Sequence, residues 1–461
     1  MTAAEKPKRK SWREAFAAYR DRRVTGMLLL GFSAGLPIAL IFATLSRWLS
    51  EEKVALSSIG LFSLTGIAYG LKFCWAPLVD HMPLPGLTGR LGRRRSWIAL
   101  AQTGCAAGLL GMALTDPRAD LWTMALFGVI VGFSSATQDI AIDAWRIETA
   151  PDETMLGVLA GAYQLGYRVA LLIAGAGVFI LVEVLQGARI AWAWPAAYVA
   201  MAALMLLSIG STLWVKEPAT RYAPPAKTGS VGARVALWFA DAVVNPFVEF
   251  FVRNRAWGIV ILAFIACFWM SDRVWGVMAQ PFYEKLGFDK IEIAVLSKTI
   301  GLWVTVVGAL LGSIIVARWG IMGPLLISAV LIAATNLLFA ALAMQGKSTV
   351  LLGLVITAEN LSGGMAGTVF IAYLSSLTNV AYTGTQYALF SSLMVLPGKM
   401  LAGASGYIVE AVGYPLFFVY TAAMGVPAVL LILLLMAHAR REKARAAAAI
   451  GAPALRPRAA E

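Results

Sequence analysis

The sequence predicts an all-α polytopic membrane protein built as two six-helix repeats, twelve transmembrane helices in all, around a central cavity. Three observations predict it. Hydrophobic residues make up 59% of the 461 positions against 14% charged, and the apolar runs repeatedly reach the roughly 20 residues a helix needs to cross a hydrocarbon core. Those runs fall into two sets on either side of a polar, proline-bearing stretch at 216–255. The basic residues, which bring the net charge to +13, lie in short segments beside the runs, where they set the orientation of a membrane protein rather than contact nucleic acid.

The first set of spans lies near 25–48, 57–80, 97–115, 119–146, 156–186 and 192–215. The second lies near 256–282, 293–317, 322–344, 349–378, 384–410 and 415–438. In lipid each backbone N–H and C=O must be satisfied within the segment, so runs of this length are helices. The chain therefore divides into a tail at 1–23, a six-helix bundle at 24–215, a linker at 216–255, a second bundle at 256–438 and a tail at 439–461. The first tail is basic (Lys6, Lys8, Arg9, Lys10, Arg13) before any apolar residue run, so the first span reads as retained rather than cleaved. Within the linker, 231–253 mixes apolar residues with Arg234, Asp241, Asn245 and Glu249, the pattern of an amphipathic helix on the membrane surface, with a short re-entrant span as the alternative. The first tail, Arg90, Arg93–Arg95, the linker, Arg318 and Arg440–Arg445 all fall on one side, while the other side receives mixed charges. Both termini are expected to be cytoplasmic.

The halves also resemble each other weakly. An offset of 231 maps Gly132 onto Gly363, Arg168 onto Lys399 and Gly175 onto Gly406. Internal repeats of six spans are a transporter layout, with the binding site between them. Enzyme chemistry finds little purchase: two histidines, His81 and His438, supply neither a metal cluster nor a nucleophile–base pair, and no sizeable soluble domain is appended. Cys74, Cys105 and Cys267 lie in or beside apolar segments as small buried residues.

Polar residues inside the spans carry the chemistry. An Asp at a helix centre costs roughly 2.5–3.5 kcal/mol on insertion scales, so intramembrane charges face protein or a water-filled cavity. Asp139, Asp143 and Arg146 share one helix face in the fourth span, because residues three and four apart are neighbours on a helix. A carboxylate alternating between a desolvated site and a cationic neighbour can bind and release a proton in each cycle. Asp139, Asp143, Asp272 and Glu359 are the proton-coupling candidates, with the pair Asp143–Arg146 also readable as a static ion pair. Gln138, Tyr163, Gln164, Arg168, Asn360, Gln386, Lys399 and Lys72 are the substrate-binding candidates, offering acceptors for hydroxyl and amide protons and cations for carboxylates. Asp80 precedes Gly89-Arg-Leu-Gly-Arg-Arg-Arg95 between the second and third spans. A carboxylate facing a basic cluster there can latch one side of the protein, with Asp80, Arg93, Arg94 and Arg146 as gating candidates and either Arg93 or Arg94 as the partner of Asp80. No metal and no cofactor other than the proton is expected.

The Asp80 segment resembles the loop signature of major facilitator proteins. Gly31-Phe-Ser-Ala-Gly-Leu-Pro37, Lys72-Phe-x-Trp-x-Pro-Leu-x-Asp80, Ser135-Ala-Thr-Gln-Asp-Ile-x3-Asp-Ala-Trp145, Leu165-Gly-Tyr-Arg168, Glu359-Asn-x2-Gly-Gly-Met365 and Thr385-Gln-x-Ala-Leu389 resemble, in order and spacing, the AmpG-type muropeptide permeases. That resemblance implies a major facilitator fold in a bacterial inner membrane. It implies proton-driven import of N-acetylglucosaminyl-1,6-anhydro-N-acetylmuramyl peptides by alternating access, for peptidoglycan recycling and β-lactam resistance. The partners it implies are a small sugar-peptide substrate and membrane lipids, with a monomeric transporter. The alternative is a facilitator of another anionic metabolite such as acetyl-CoA or a siderophore.

Overall fold

A computed structural model describes residues 20–54, 67–219, 240–288, 290–293, 296 and 300–451. Among these described residues, ten helical runs are long and apolar enough to cross a membrane. They are Arg22–Glu51, Arg93–Leu114, Leu121–Thr149, Glu153–Gly187, Ala193–Trp214, Trp257–Lys285, Gly301–Trp319, Met322–Gln345, Thr349–Leu377 and Ser405–Glu442. Two further helical stretches, 67–81 and Thr383–Ala402, fall where the second and eleventh spans are expected. Parts of the predicted second and eighth spans, residues 220–239 of the linker, most of the first tail and the end of the last tail at 452–461 lie outside the described residues. The last apolar run holds two elements, because Gly413 takes φ 74° two residues before Pro415. Glycine enters that conformation at no steric cost. Residues 405–412 thus extend the eleventh span, and the twelfth begins beyond them.

Local chemistry sets the span boundaries. Asp120, Asp152 and Ser348 each accept a hydrogen bond from the backbone N–H three residues on, at Thr123, Met155 and Leu351. Such caps satisfy donors that a helix start leaves orphaned. The fourth and tenth spans, both opened this way, are each 29 residues long. Their starts lie 228 positions apart, one turn away from the offset of 231 that the glycine matches indicate.

The repeat is clearer in buried polar contacts than in sequence. In the first half, Gln102 of the third span donates to Ser33 Oγ of the first at 3.1 Å and accepts from Thr212 of the sixth at 2.8 Å. In the second half, Asn336 of the ninth span donates to Ser271 Oγ of the seventh at 2.5 Å, and Ser271 donates to the Thr421 carbonyl of the twelfth at 2.7 Å. Each half thus closes on a serine, an amide and an outer span. Separate apolar clusters surround these nodes, around Leu40, Trp48 and Tyr198 in the first half and around Phe264, Phe370 and Phe418 in the second.

Several spans are interrupted. The first breaks at Phe42 (φ −115°, ψ −94°), and the fifth passes through a π turn at Ile173–Gly177. Thr44, just past the first break, donates to the Ala174 carbonyl inside that turn at 2.8 Å. A hydroxyl from a neighbouring helix is one way a bilayer protein re-satisfies a freed backbone group.

The described part of the linker, 240–254, forms a π turn followed by the helix Asn245–Asn254. At about 1.5 Å per residue it spans about 22 Å, short of the roughly 30 Å hydrocarbon core. Gln386 of the eleventh span holds it, donating to the Pro246 carbonyl at 2.8 Å and to Glu249 at 2.7 Å, while Asn379 donates to Glu249 at 2.8 Å. Phe247, Val248, Phe251 and Val252 face outward, as on a surface-lying helix. Replacing Gln386 with Leu is expected to remove one of the two amide donors to Glu249 and the donor to the Pro246 carbonyl, and to speed amide hydrogen exchange over 245–254 about tenfold, about 1.4 kcal/mol of local stability. Unchanged exchange would show that the helix is held by its apolar face alone.

Candidate functional site

Three charged arrangements run through the interior, beginning at the end of the bundle where both halves present basic residues. There Arg23 donates to the Thr149 carbonyl, Arg253 to the Leu377 carbonyl, and Trp257 stacks on His438 with ring centroids 4.0 Å apart. This is the basic end of the bundle.

The first arrangement is a latch at that end. Gly92, at φ 88°, starts the third span so that Arg94 points inward and is 1% exposed. Its guanidinium lies 2.5 Å from Asp80 Oδ1 and 2.5 Å from Glu148 Oε1, and donates to Thr383 Oγ1 at 2.9 Å. Asp80 in turn accepts from the backbone N–H of Thr385 at 2.9 Å and from its hydroxyl at 3.1 Å. Arg94, Asp80 and Glu148 belong to the first half, and Thr383 and Thr385 to the second. The choice left open between two arginines is therefore resolved as Arg94, while Arg93 donates to the Asp80 backbone carbonyl at 2.6 Å and lies 3.7 Å from Glu148. Glu217, just past the sixth span, accepts from the backbone N–H groups of Arg94 and Arg95, a carboxylate on the positive end of a helix. Burial of Glu217 pushes its carboxyl above the usual range, against those hydrogen bonds and the nearby Arg94 charge.

The second arrangement is an ion cluster deeper in the first half. Lys72 Nζ lies 3.9 Å from both Asp139 Oδ2 and Asp143 Oδ2, and Asp143 Oδ1 lies 2.8 Å from Arg146 Nη1. Arg146 sits 5.4 Å from the Tyr163 ring and crosses to the second half, donating to Ser375 Oγ at 3.2 Å and lying 5.0 Å from the Tyr387 ring.

The third is a cavity of about 310 Å³ between the halves. Gln164 and Arg168 of the fifth span, Trp269, Asp272 and Arg273 of the seventh, and Phe370 of the tenth line it. Glu359 lies one turn from the lining residue Gly363, and Arg168 acts electrostatically on both Glu359 and Asp272. Tyr167 joins cluster to cavity, lying within electrostatic reach of Asp139, Arg168 and Arg273. Two cations, two acids and two aromatic faces can hold a zwitterionic ligand that also carries rings.

The geometry places several of the expected site residues away from this cavity. Gln138 faces the packed interior, fully buried, and donates to Ser33 Oγ at 2.7 Å; successive helical residues diverge by about 100°, so it cannot share the Asp139 face. Asn360 ties the tenth span to the eighth through Thr305 at 2.8 Å and donates to its own helix at Ile356. Gln386 is spent on the linker helix, and Lys72 and Tyr163 belong to the ion cluster rather than the cavity. Lys399 is exposed on the eleventh span and is not among the residues around the cavity. Arg146 links the halves away from Asp80. Sequence reasoning passed over Glu148, Glu217, Thr383 and Thr385. Glu148 carried a signal, two residues past Arg146 at a helix end, and Thr385 opens a resemblance motif, but Thr383 carried none.

Comparison with known proteins matches this architecture. The family model of the Major Facilitator Superfamily matches residues 27–400. The fucose:proton symporter FucP of E. coli superposes with a TM-score of 0.64 at 15% identity, covering 92% of this chain and 99% of that one. The proton:xylose symporter XylE, bound to 6-bromo-6-deoxy-D-glucose, gives 0.61 at 14% identity, covering 92% and 95%. The chain belongs to the Major Facilitator Superfamily, a class of membrane transporters. Within it, 35% identity links it to the anhydromuropeptide permease of Escherichia coli K12 over 90% of this chain and 80% of that protein. The putative transporter AmpG 4 of Rickettsia felis is 32% identical over 90% of this chain and 97% of its own length. The chain is a member of the AmpG-type permease family.

Proposed function

We propose that this protein imports anhydromuropeptides across a bacterial inner membrane, driven by protons, as a monomer with both termini in the cytoplasm. The observation that carries the reading is the cavity between the halves, lined by Arg168, Arg273 and Asp272 with the faces of Trp269 and Phe370, and with Glu359 within electrostatic reach of Arg168. A sugar-peptide brings carboxylates, an ammonium group and pyranose rings, each with a partner of matching chemistry there. Membership of the permease family, which includes the anhydromuropeptide permease of E. coli K12, supports the substrate class. The basic end is the cytoplasmic one on this reading, since Lys and Arg accumulate on that side.

The state described is then outward-facing. Latch contacts join the halves at the basic end, whereas at the other end the ion pairs Arg118–Glu52 and Lys347–Glu292 each stay within one half among the described residues. Asp139 is the proposed proton site. The test is uptake of labelled disaccharide anhydromuropeptide into proteoliposomes with and without an imposed inward proton gradient. Gradient-dependent accumulation is expected for the native protein and its loss for Asp139→Asn, with folded protein still in the membrane. No uptake by the folded native protein would overturn the substrate, and full accumulation by the variant would overturn the proton site.

A further inference from the structure

The ion cluster does more than neutralise charge. Its four members form a chain from Asp139 to the opposite half of the molecule, and each side chain is at least 85% buried. At one end, Asp139 Oδ1 finds no hydrogen-bond partner among the described residues, an acceptor position where a proton can bind. At the other end, Arg146 makes the contacts to Ser375 and Tyr387 across the interface. Between them Lys72 stands equidistant from the two carboxylates, at 3.9 Å from each, in a short 3₁₀ stretch (Lys72–Cys74) that interrupts the second span. Mid-helix 3₁₀ turns often mark hinges.

Charge balance decides what a proton does here. Two carboxylates and two cations sum to zero, and an uncompensated buried charge is strongly unfavourable. The remaining titratable groups near Asp139 are Tyr69 on the second span, Cys105 on the third, and Tyr163 and Tyr167 on the fifth. Tyr387 approaches from the eleventh. Among the described residues none of these offers a carboxylate or a further cation. A proton on Asp139 therefore leaves the cluster with one excess positive charge and Lys72 with a single anionic neighbour.

We propose that Lys72 is a positioning residue that passes the protonation state of Asp139 to the interface between the halves, by moving from between the carboxylates onto Asp143 and competing with Arg146 for it. Arg146, held less firmly by Asp143, is then free to change its contacts with Ser375 and Tyr387, and the halves can re-pack. The only covalent change is the O–H bond of Asp139, made with a proton from water on one side and broken to water on the other. The inference rests on the proton-driven reading above and deepens it.

The test uses the full chain in proteoliposomes and the labelled disaccharide anhydromuropeptide in two assays: gradient-driven accumulation, and counterflow exchange without a gradient. Native accumulation is the control for the underlying reading; its absence refutes that reading and leaves the Lys72 comparison to exchange alone. Lys72→Met is expected to lose accumulation and the pH dependence of exchange, and Lys72→Arg to recover both. The decisive variant is Lys72→Met with Asp139→Asn, which removes one charge of each sign. Its exchange is expected to match that of Lys72→Met and to fall about tenfold below that of Asp139→Asn alone, because without Lys72 nothing competes with Arg146 for Asp143, so the two substitutions are not additive. A purely structural lysine would lower both assays together and make the double variant worse than either single one. That outcome, or native accumulation by Lys72→Met, would overturn the proposal.

Discussion

Replacing Arg94 with Ala is expected to open the basic end of the protein and to lower its thermal stability. The substitution removes the one guanidinium that both Asp80 and Glu148 face at 2.5 Å. Both carboxylates are buried, at 1% and 7% side-chain exposure, and removing one partner of a buried pair costs about 3–5 kcal/mol. The molecule can relieve part of that cost by separating the halves, because water then reaches both acids. Thr383 and Thr385 contribute hydroxyls and a backbone N–H from the second half, and these neutral donors cannot replace a cation. The measurement is alkylation of a cysteine placed at Thr378, which is 7% exposed, in a protein whose three native cysteines are replaced. Labelling is expected to rise by at least about tenfold, the equivalent of about 1.4 kcal/mol in the opening equilibrium. Arg95→Ala is the contrast, since Arg95 donates to the Thr212 and Leu213 carbonyls of its own half. Equal labelling in the two variants would show that Arg94 does not latch the halves.

How far this latch was legible in the sequence illustrates what sequence carries. Asp80 and three consecutive arginines announce a charged loop, but which arginine turns inward depends on the phase of a helix that begins at Gly92. The ten membrane-length helices found among the described residues were legible because bilayer thickness imposes a length on each. The boundary between the last two spans was legible because Gly413 and Pro415 punctuate it. The allocation of polar side chains was not. Gln138 and Asp139 are adjacent in sequence, yet one bonds Ser33, 105 residues away, and the other meets Lys72. A polar residue in a span signals a protein-facing position, but only packing decides between a cavity wall, an ion cluster and a bond between helices. The same limit applies to Asn360 and Gln386, whose amides the structure commits to neighbouring backbone and side chains.

The second large effect is expected at Gly166, where the first and fifth spans touch backbone to backbone. A methyl group added there would overlap the Leu28 carbonyl oxygen and come within 2.8 Å of the Phe32 nitrogen. On the facing helix, Gly31 lies against the Tyr163 backbone and Gly35 against that of Tyr167. Backbone atoms cannot rotate away as side chains do, so the helices must separate along their length. Small residues at helix interfaces serve this close approach in a bilayer, where association depends on packing rather than on exclusion of water. Overpacking of a well-filled interior costs about 1–3 kcal/mol or more, and Gly166→Ala is expected at or above the upper end of that range. Gly166→Val adds two further methyl groups at the same contact and is expected to yield no folded protein. The functional consequence goes further than stability, because these helices carry Ser33, Tyr163, Gln164 and Arg168, which belong to the polar node, the ion cluster and the cavity. Gly210 in the sixth span has open space around it. An Ala there is expected to raise stability by about 0.5–1 kcal/mol through helix propensity. Size-exclusion profiles and melting curves in detergent would separate these outcomes; a native melting curve for Gly166→Val would show that the two spans are not packed as described.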